Sequence, residues 1–487
     1  MPDLNLRELA RAVDGILKGD GELRVRGVTA DSRRLRPGEL FVALAGTRTD
    51  GHRFLEAAAR AGAAAALVQE DRGPRPAGLP VVVVPDPLRA LGELAHAVLR
   101  RRATPVVGIT GTVGKTTAKD FLAALLGGPG AGVHAAPASF NSECGLPLAI
   151  LNAPAEARLL ILEYGVNAPG EMDRLLEIAA PTEGWITAVT EVHLEGMGSL
   201  ETVAREKLRL FQALPESGSA WTSPQTLELL RAFPSCRTAL QGLAARLRAE
   251  APGAEGPLRV LEAEPGRFRL EVEGAGVLDF PVVAAHEAAL AATAARLALS
   301  LGARPEELRE RAAGLQRPPG RLSLHRFGAL EVLDDAYNAS PAAMEAALEV
   351  LASWPGARRR VAVLGTMHEL GLAAEDRHRR IGRTAAGLDL DLLLGVGEGG
   401  AWIAEEAARS GSAAEILTAA DAVSAAALLV PRLRAGDLVL LKASRAEGLE
   451  QLLAPLEQAA PGLPPRAGRL LRMPGRDAPL PGLEALA

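Results

Sequence analysis

The chain has 487 residues, 48% of them hydrophobic, which predicts about two to four domains with several hydrophobic cores. Its net charge of −5 gives no reason to expect a nucleic-acid partner, and two cysteines, Cys144 and Cys236, exclude a disulfide framework and favour a reducing compartment. The first ten residues lack the apolar core of a signal peptide, and no apolar stretch reaches about 18 residues, so we expect a cytoplasmic protein without a membrane span.

Residues 1–103 are expected to form a small α/β domain. Helical periodicity covers residues 4–17, and an alanine-rich helix begins at Phe54. Short apolar runs at residues 38–44 and 81–84 predict buried strands.

A strand, a glycine turn and a helix are predicted at the start of the second domain. An apolar β-branched run ends at Gly111 and Gly114, and a helical pattern follows from Lys115. Glycines let backbone N–H groups approach a phosphate closely, and the helix N-terminus adds partial positive charge. Lys115 can reach terminal phosphate oxygens, and the Thr116 hydroxyl can bind Mg²⁺. The pattern therefore indicates a nucleoside triphosphate site.

The spacing departs from the strict P-loop by one position. Ile109 stands where the first glycine is required, and the nearest glycine is Gly108. The alternative is a glycine turn that only joins a strand to a helix. The sequence G-K-T-T directly after a strand favours the triphosphate site.

Two polar side chains follow strands predicted in the same domain. Residues 159–162 form a buried run that ends in Glu163, and His193 comes shortly after a second run at residues 185–189. Doubly wound sheets bind ligands at the carboxyl ends of their strands, so both side chains suit a ligand site.

The rest of the second domain, which extends from 104 to 317, has a less regular pattern. Residues 199–214 predict a helix that carries Lys207, and a polar linker is expected from Pro215. Residues 258–273 alternate as a hairpin or edge strands do, and an alanine-rich helix is expected at 286–301.

The residues 318–320, Pro-Pro-Gly, mark a boundary to a third domain that ends near 460. Strands and helices alternate there, which predicts a mainly parallel sheet with helices on both faces. Strands are predicted at residues 330–333, 360–364, 390–394 and 438–441, and helices at 341–354, 375–386, 402–409 and 447–456. The tail, residues 461–487, is rich in Pro, Gly and Arg and is expected to be loosely ordered.

Several motifs together resemble the Mur ligases of peptidoglycan synthesis. The sequence G-I-T-G-T-V-G-K-T-T looks like their ATP loop. D-D-A-Y-N-A-S-P from Asp334, V-L-G-T-M-H-E-L-G from Val363 and K-A-S-R from Lys442 look like the branch that adds D-alanyl-D-alanine to UDP-N-acetylmuramoyl-tripeptide. The motifs occur in family order over nearly the whole chain, apart from 215–270 and the tail.

The resemblance implies an α/β protein of three domains. A small N-terminal α/β domain binds the UDP substrate, a central P-loop mononucleotide-binding domain with a parallel sheet is the ATPase, and a C-terminal Rossmann-like domain binds the amino substrate. It implies ATP and Mg²⁺ as cofactors, and UDP-N-acetylmuramoyl-peptide and D-alanyl-D-alanine as substrates. It also implies a monomer whose domains close on substrate, with a peptide carboxylate activated as an acyl phosphate.

The resemblance also implies roles for particular side chains. The catalytic residues it suggests are Lys115, Glu163, His193, Lys207 and Arg321, of which Glu163, His193 and Lys207, with Thr116, would hold Mg²⁺. Lys207 stands where many relatives carry a carbamylated lysine, and Arg321 where an arginine reaches the γ-phosphate. The nucleotide-binding residues would be Gly111, Thr112, Gly114, Lys115, Thr116, Thr117, His286, Asp335 and Asn338. The substrate-binding residues would be Ser32, Arg33, Asp50, His52, Asn141, Lys442, Ser444 and Arg445.

Each of these roles has a structural alternative. Ser32, Arg33, Asp50 and His52 suit ordinary turns equally well. Glu163 and Arg321 can form local ion pairs, His193 can be a hydrogen-bonded loop residue, and Lys207 can be a solvated helix lysine paired with Glu201 or Glu206. Lys442, Ser444 and Arg445 can form a solvated loop.

Several residues depart from the family pattern and leave the amino substrate, the nucleotide preference and the adenine contacts open: Glu287, Leu290, Thr366, Ala443 and the segment 188–190, where Ala-Val-Thr replaces the usual Asn-Ile-Gly. A ligase that adds the preceding, third residue is one alternative, although its usual D-Y-A-H-x-P motif is absent. A nucleotide-binding protein without ligase activity is another. The third residue of the acceptor peptide, Lys, ornithine or diaminopimelate, is not indicated by the sequence.

Overall fold

The computed structural model describes residues 4–46, 49–70, 76–137, 140–190, 194–253, 257–264 and 266–463. His193 and most of the 461–487 tail lie outside these residues. Across the described residues, none of the helices has the length and apolar character needed to cross a lipid bilayer.

The N-terminal unit is a five-stranded sheet with the strand order β1-β5-β4-β3-β2, in which only the β1–β5 pair is antiparallel. Its elements are α1 Leu6–Ala12, β1 Ile16–Lys18, β2 Val28–Thr29, β3 Leu40–Val42, α2 Leu55–Arg60, β4 Ala65–Gln69, β5 Val81–Val84 and α3 Pro87–Arg102.

The single helix predicted for residues 4–17 is wrong. The helix ends at Ala12 and the chain returns as β1, because Asp14 takes a left-handed conformation with a φ of 45°. A Cβ atom on Gly15 would lie 2.6 Å from the Val82 side chain, so the turn packs directly on β5. The apolar residues after the turn alternate as a strand and not as a helix.

The central sheet is fully parallel, with the order β11-β10-β9-β6-β8-β7. Its strands and helices are β6 Val106–Thr110, α4 Lys115–Leu125, β7 Val133–Ala135, α5 Gly145–Leu151, β8 Leu159–Glu163, α6 Glu171–Ile178, β9 Glu183–Ile186, α7 Leu194–Met197, α8 Leu200–Gln212, β10 Ala220–Thr222, α9 Pro224–Ala232, α10 Pro234–Gln241 and β11 Leu247–Ala249. One hydrophobic cluster extends from this sheet into the N-terminal unit, so the two pack as neighbours.

The polar linker predicted from Pro215 is wrong beyond its first residues. Ala220, Trp221 and Thr222 are buried and add a strand to the edge of the central sheet, and β11 adds another. Strands of three residues are too short to show a period in the sequence.

A three-stranded antiparallel sheet packs against α4, the helix that follows the glycine turn. It comprises β12 Leu258–Glu264, β13 Arg267–Val272 and β14 Gly276–Phe280, followed by α11 Ala285–Ser300 and α12 Pro305–Ala313. The hairpin predicted for 258–273 is thereby confirmed. Side chains of β6, α4, β13 and α11 share one hydrophobic cluster, which fixes α4 behind the glycine turn.

The third unit is a six-stranded sheet with the order β15-β16-β20-β17-β18-β19, and only β15 is antiparallel. Its elements are β15 Ser323–Phe327, β16 Leu330–Asp335, α13 Pro341–Ser353, β17 Arg359–Gly365, α14 Ala374–Ala386, β18 Leu392–Val396, α15 Gly397–Arg409, β19 Glu415–Ala419, α16 Ala422–Leu429, β20 Asp437–Lys442 and α17 Leu453–Ala459. Separate hydrophobic clusters lie on the two faces, so the mainly parallel, doubly covered sheet is confirmed. The adjacent strands β16, β20 and β17 bring the motif residues that follow them to one edge of the sheet.

Candidate active site

The glycine turn between β6 and α4 forms one wall of the candidate site. Gly111 has a φ of 151°, and a Cβ atom there would lie 2.0 Å from the Thr187 hydroxyl oxygen, so only glycine fits. Gly114, with a φ of 81°, precedes α4, and no side chain among the described residues caps the first turn of that helix. Its backbone N–H groups are therefore placed to bind an anion such as phosphate.

Lys115, the first residue of α4, directs its ammonium group back to this turn. Nζ donates to the carbonyl oxygens of Gly111 at 2.9 Å and Thr112 at 3.5 Å. Desolvation lowers the pKa of Lys115 to about 8, the Glu163 carboxylate opposes that shift, and the Arg321 guanidinium adds to it. A desolvated ammonium group at this position gains strongly from contact with an anion.

Glu163 ends β8 and is fully buried beside α4. Its Oε2 atom accepts from the Thr116 hydroxyl at 3.3 Å and from Asn141 Nδ2 at 3.5 Å. The Lys119 ammonium lies 3.3 Å from Oε1, in an ion pair without hydrogen-bond geometry. The alternative of a strand-end carboxylate paired with a surface cation is wrong, because both Glu163 and Lys119 are buried.

The oxygen atoms of Thr116 and Glu163 fit a magnesium ion. Mg²⁺ prefers hard oxygen ligands and commonly takes only one or two protein ligands beside phosphate oxygens and water. The described part of the chain holds no cluster of three His, Cys, Asp or Glu residues, and the two oxygen atoms of Thr116 and Glu163 lie 3.3 Å apart. His193, the other predicted ligand from a strand end, lies outside the described residues.

Lys207 is buried on α8, with 2% of its surface exposed. Burial lowers its pKa well below the ordinary value, the Lys115 cation contributes in the same direction, and Glu206 opposes. No group in the described ranges accepts a hydrogen bond from its ammonium. Glu206 instead accepts from the Gly170 N–H, and Glu201 from the Ser235 hydroxyl. The alternative of a solvated lysine that pairs with one of these glutamates is therefore wrong.

Arg321, at the start of the third unit, reaches across to the P-loop. Its Nη2 atom donates to the Thr116 hydroxyl at 3.1 Å, and its guanidinium stacks over the Tyr337 ring with Cζ 4.4 Å from the centroid. Arg445 stacks over the same ring at 5.1 Å. Residues from the second and third units thus meet at one place.

The strand ends of the third unit supply the opposite wall. Lys442 is buried and ion-pairs with Asp335, and it also donates to the Asn338 carbonyl oxygen at 3.2 Å. The Ser444 hydroxyl accepts from the His368 N–H at 3.0 Å. The alternative of a solvated loop is therefore wrong for Lys442, whereas Arg445 is exposed.

A single cavity of about 1320 Å³ collects most of the predicted site residues. Those that line it are Thr112, Gly114, Lys115, Thr116, Thr117, Asn141, Glu163, His286, Arg321, Asp335, Asn338, Lys442, Ser444 and Arg445. Lys207 and Gly111 are not among the residues that line it, and the sequence reasoning missed Lys119 and Tyr337. Lys119 was detectable as a second lysine four residues after Lys115, on the same helical face.

The four predicted residues of the N-terminal unit do not line this cavity. His52 is held through both ring nitrogens, by Asp50 Oδ1 at 2.6 Å and by the Gln69 N–H at 2.9 Å. The Arg33 guanidinium binds Asp31 with two hydrogen bonds and is otherwise exposed, next to Ser32. Their role in substrate binding stays a prediction.

The departures from the family pattern have structural partners. The Thr366 hydroxyl accepts from the Gly399 N–H at 3.2 Å, and Ala443 is buried against Gly365. Leu290 packs beside Gly114. Glu287 is buried and accepts from the Val283 and Ala284 N–H groups.

We expect Glu287 to make stability depend on pH. Desolvation raises its pKa from 4.5 to about 7, although Arg317 and the two N–H donors act to lower this pKa. Because the folded-state pKa is the higher one, the stabilisation from this group is complete below pH 4.5 and is lost as the pH rises through 7. Glu287→Gln should therefore melt about 2–6 °C above the wild type at pH 8, and the gap should shrink towards pH 5. A constant gap between pH 5 and 8 would contradict this account.

Three family profiles match the chain in order. They are described as "Mur ligase family, catalytic domain" over residues 24–98, "Mur ligase middle domain" over 109–227, and "Mur ligase, glutamate ligase domain" over 320–445.

Full-length relatives share one name, UDP-N-acetylmuramoyl-tripeptide–D-alanyl-D-alanine ligase. The one from Bacillus subtilis is 32% identical over 93% of this chain and 98% of its own length. The one from Mycobacterium tuberculosis strain H37Rv is 37% identical over 92% of this chain and 96% of its own.

Solved structures give the same result for the fold. MurF from Acinetobacter baumannii matches with a TM-score of 0.81 and 26% identity, over 94% of this chain and 99% of that one. MurF from Thermotoga maritima, in complex with ADP, matches with a TM-score of 0.75 and 28% identity, over 90% and 98%.

Proposed function

The chain belongs to the Mur ligase family, and from that premise we propose that it is the ATP-dependent ligase that joins D-alanyl-D-alanine to UDP-N-acetylmuramoyl-tripeptide in peptidoglycan precursor synthesis. The observation that carries the proposal is the match, over nearly the full length of both chains, to relatives of that name. One cavity with a phosphate turn, a buried carboxylate and two arginines suits this chemistry.

In the first step the peptide carboxylate attacks the γ-phosphorus of ATP, the bond to the β–γ bridging oxygen breaks, and an acyl phosphate and ADP form. Lys115 binds β- and γ-phosphate oxygens. Arg321 donates to the γ-phosphate through its planar guanidinium, whose N–H groups are arranged to bind phosphate oxygens in pairs. Thr116 and Glu163 would hold Mg²⁺, which supplies charge neutralisation for those oxygens when bound. Rate acceleration comes mainly from positioning and electrostatic stabilisation.

In the second step the amine of the dipeptide attacks the acyl carbon, and an amide forms as phosphate and a proton leave. Ser444 and Arg445 bind the dipeptide carboxylate, and Lys442 supports them through its bonds to Asp335 and Asn338. His286, Asp335 and Asn338 face the nucleoside. The UDP-linked substrate is bound by Asn141, Ser32, Arg33, Asp50 and His52. Of these, His52 acts indirectly, because its hydrogen bonds hold the loop in place.

Lys207 is proposed to react with carbon dioxide and become a carbamate that helps to hold Mg²⁺. A lowered pKa leaves more of the amine uncharged, and only the uncharged amine can attack carbon dioxide. Lys207→Ala should lose about 10²-fold or more in phosphate release, and added bicarbonate should stimulate the wild type but not the variant. Chloride or a short carboxylic acid should restore part of the lost rate in the variant. Full activity in Lys207→Ala would contradict the proposal.

An amine-substrate screen tests the function. Phosphate release from ATP is measured with the UDP-linked tripeptide plus D-alanyl-D-alanine, and in parallel with the UDP-linked dipeptide plus single amino acids. Release in the first mixture alone supports the proposal, and release in the second indicates the preceding ligase. A nucleotide-binding protein without ligase activity releases phosphate in neither, yet binds ADP in calorimetry. Acceptors that end in Lys, ornithine and diaminopimelate identify the third residue.

The protein is further proposed to act as a cytoplasmic monomer. Residues of the second and third units of one chain line one cavity, so the described part of that cavity is formed without a second copy. Light scattering at working concentrations, with and without nucleotide, tests the monomer.

A further inference from the structure

Tyr337 contacts two arginines that the proposed function assigns to different substrates. It follows β16, and its N–H donates to the Gly320 carbonyl oxygen at 3.0 Å, next to Arg321. The ring is half-buried in the cavity wall. The Arg321 Cζ atom lies 4.4 Å and the Arg445 Cζ atom 5.1 Å from the ring centroid, both within the range of cation–π attraction.

The ring adds attraction for the charges of both arginines, of which Arg321 also acts on the Asp120 carboxylate at longer range. In the described part of the chain no carboxylate forms an ion pair with Arg321 or Arg445, and Arg321 makes its one polar contact with the Thr116 hydroxyl. Two guanidinium groups this close together repel each other, and the negative face of an aromatic ring offsets part of that repulsion. The stacking also restricts two long side chains that would otherwise have many rotamers.

We infer that Tyr337 is a positioning residue that orders Arg321 for the γ-phosphate and Arg445 for the carboxylate of the amino substrate. The inference rests on the proposed function. Because both arginines contact one ring, an anion that draws one guanidinium towards itself changes the position available to the other. Binding of nucleotide and binding of the amino substrate are thereby coupled through the ring.

The test compares Tyr337→Leu, which removes the ring, with Tyr337→Phe, which keeps it. Tyr337→Leu should raise the KM for ATP and for D-alanyl-D-alanine about three- to tenfold each, and the KM for the UDP-linked tripeptide less than about twofold. Tyr337→Phe should restore both KM values to within about twofold of the wild type. Both variants should melt within a few degrees of the wild type.

Three results would overturn the inference: wild-type KM values in Tyr337→Leu, equal damage in the two variants, or an equal rise in all three KM values. Calorimetry with a non-hydrolysable ATP analogue, which keeps the γ-phosphate, supplies a second measure that does not need turnover, and Tyr337→Leu should bind this analogue more weakly than Tyr337→Phe. If the wild type fails to use D-alanyl-D-alanine, the proposed function fails, and the comparison of analogue binding still decides whether the ring orders Arg321.

Discussion

Lys115→Ala should lower the rate of phosphate release by about 10³-fold or more, because the ammonium group supplies positive charge where negative charge develops on the transferred phosphoryl group. The affinity for ADP should fall as well. The melting temperature should not fall, since the wild-type ammonium is desolvated and, among the described residues, donates only to carbonyl oxygens of its own turn. Phosphate release, ADP calorimetry and thermal melting measure the three effects.

Lys18→Ala is the matched control for this variant. Lys18 is exposed on β1, in the N-terminal unit, and it lines no part of the cavity. Its removal should leave the rate of phosphate release unchanged. Substantial turnover in Lys115→Ala, or a loss of the same size in Lys18→Ala, would contradict the assignment of Lys115 to the triphosphate.

The motif-bearing strands were predictable because each is a complete apolar run with a polar residue at its end. Val106–Thr110 and Leu159–Glu163 are buried along most of their length, so the run itself defines the strand. The short strands β1 and β10 have three residues each and no period, and their pairing depends on partners distant in sequence. The turn at Asp14 depends on contact with β5, which local propensity cannot reveal.

The site was predictable where the backbone conformation and the chemistry each require a particular residue type. At Gly111 only glycine fits the turn, and at Lys115 a cation suits the phosphate. Lys119 was missed because it binds no ligand itself and acts on Glu163 from α4. Its signal lies in composition: the chain has 54 Lys and Arg residues in all, and only five of them are lysines. Four of those five are at or near the candidate site: Lys115 and Lys442 line the cavity, Lys119 pairs with Glu163, and the charge of Lys115 acts on Lys207.

Substitutions at Glu163 and Lys119 should cause the second large loss of activity. Glu163→Gln keeps the shape of the side chain but removes a carboxylate proposed to hold Mg²⁺, and it should lower phosphate release by about 10²–10³-fold. Lys119→Met leaves Glu163 in place but removes the cation 3.3 Å from its Oε1 atom. Because Lys119 orients the proposed ligand, its loss should cost about 10–100-fold in activity and raise the Mg²⁺ concentration needed for half-maximal rate.

The melting temperatures of the variants distinguish the proposed role of Glu163 as a magnesium ligand from that of Lys119, which orients Glu163. Lys119→Met should melt well below the wild type, because a fully buried carboxylate is left without its cation. The double variant should melt closer to the wild type, since the uncharged pair no longer needs compensation, and yet it should stay as inactive as Glu163→Gln. Asp120→Asn is the control, because Asp120 also contacts Lys119 at 3.3 Å but does not contact Glu163. An unchanged Mg²⁺ requirement in Lys119→Met would show that Lys119 serves packing alone, and an active Glu163→Gln would remove Glu163 from the chemistry.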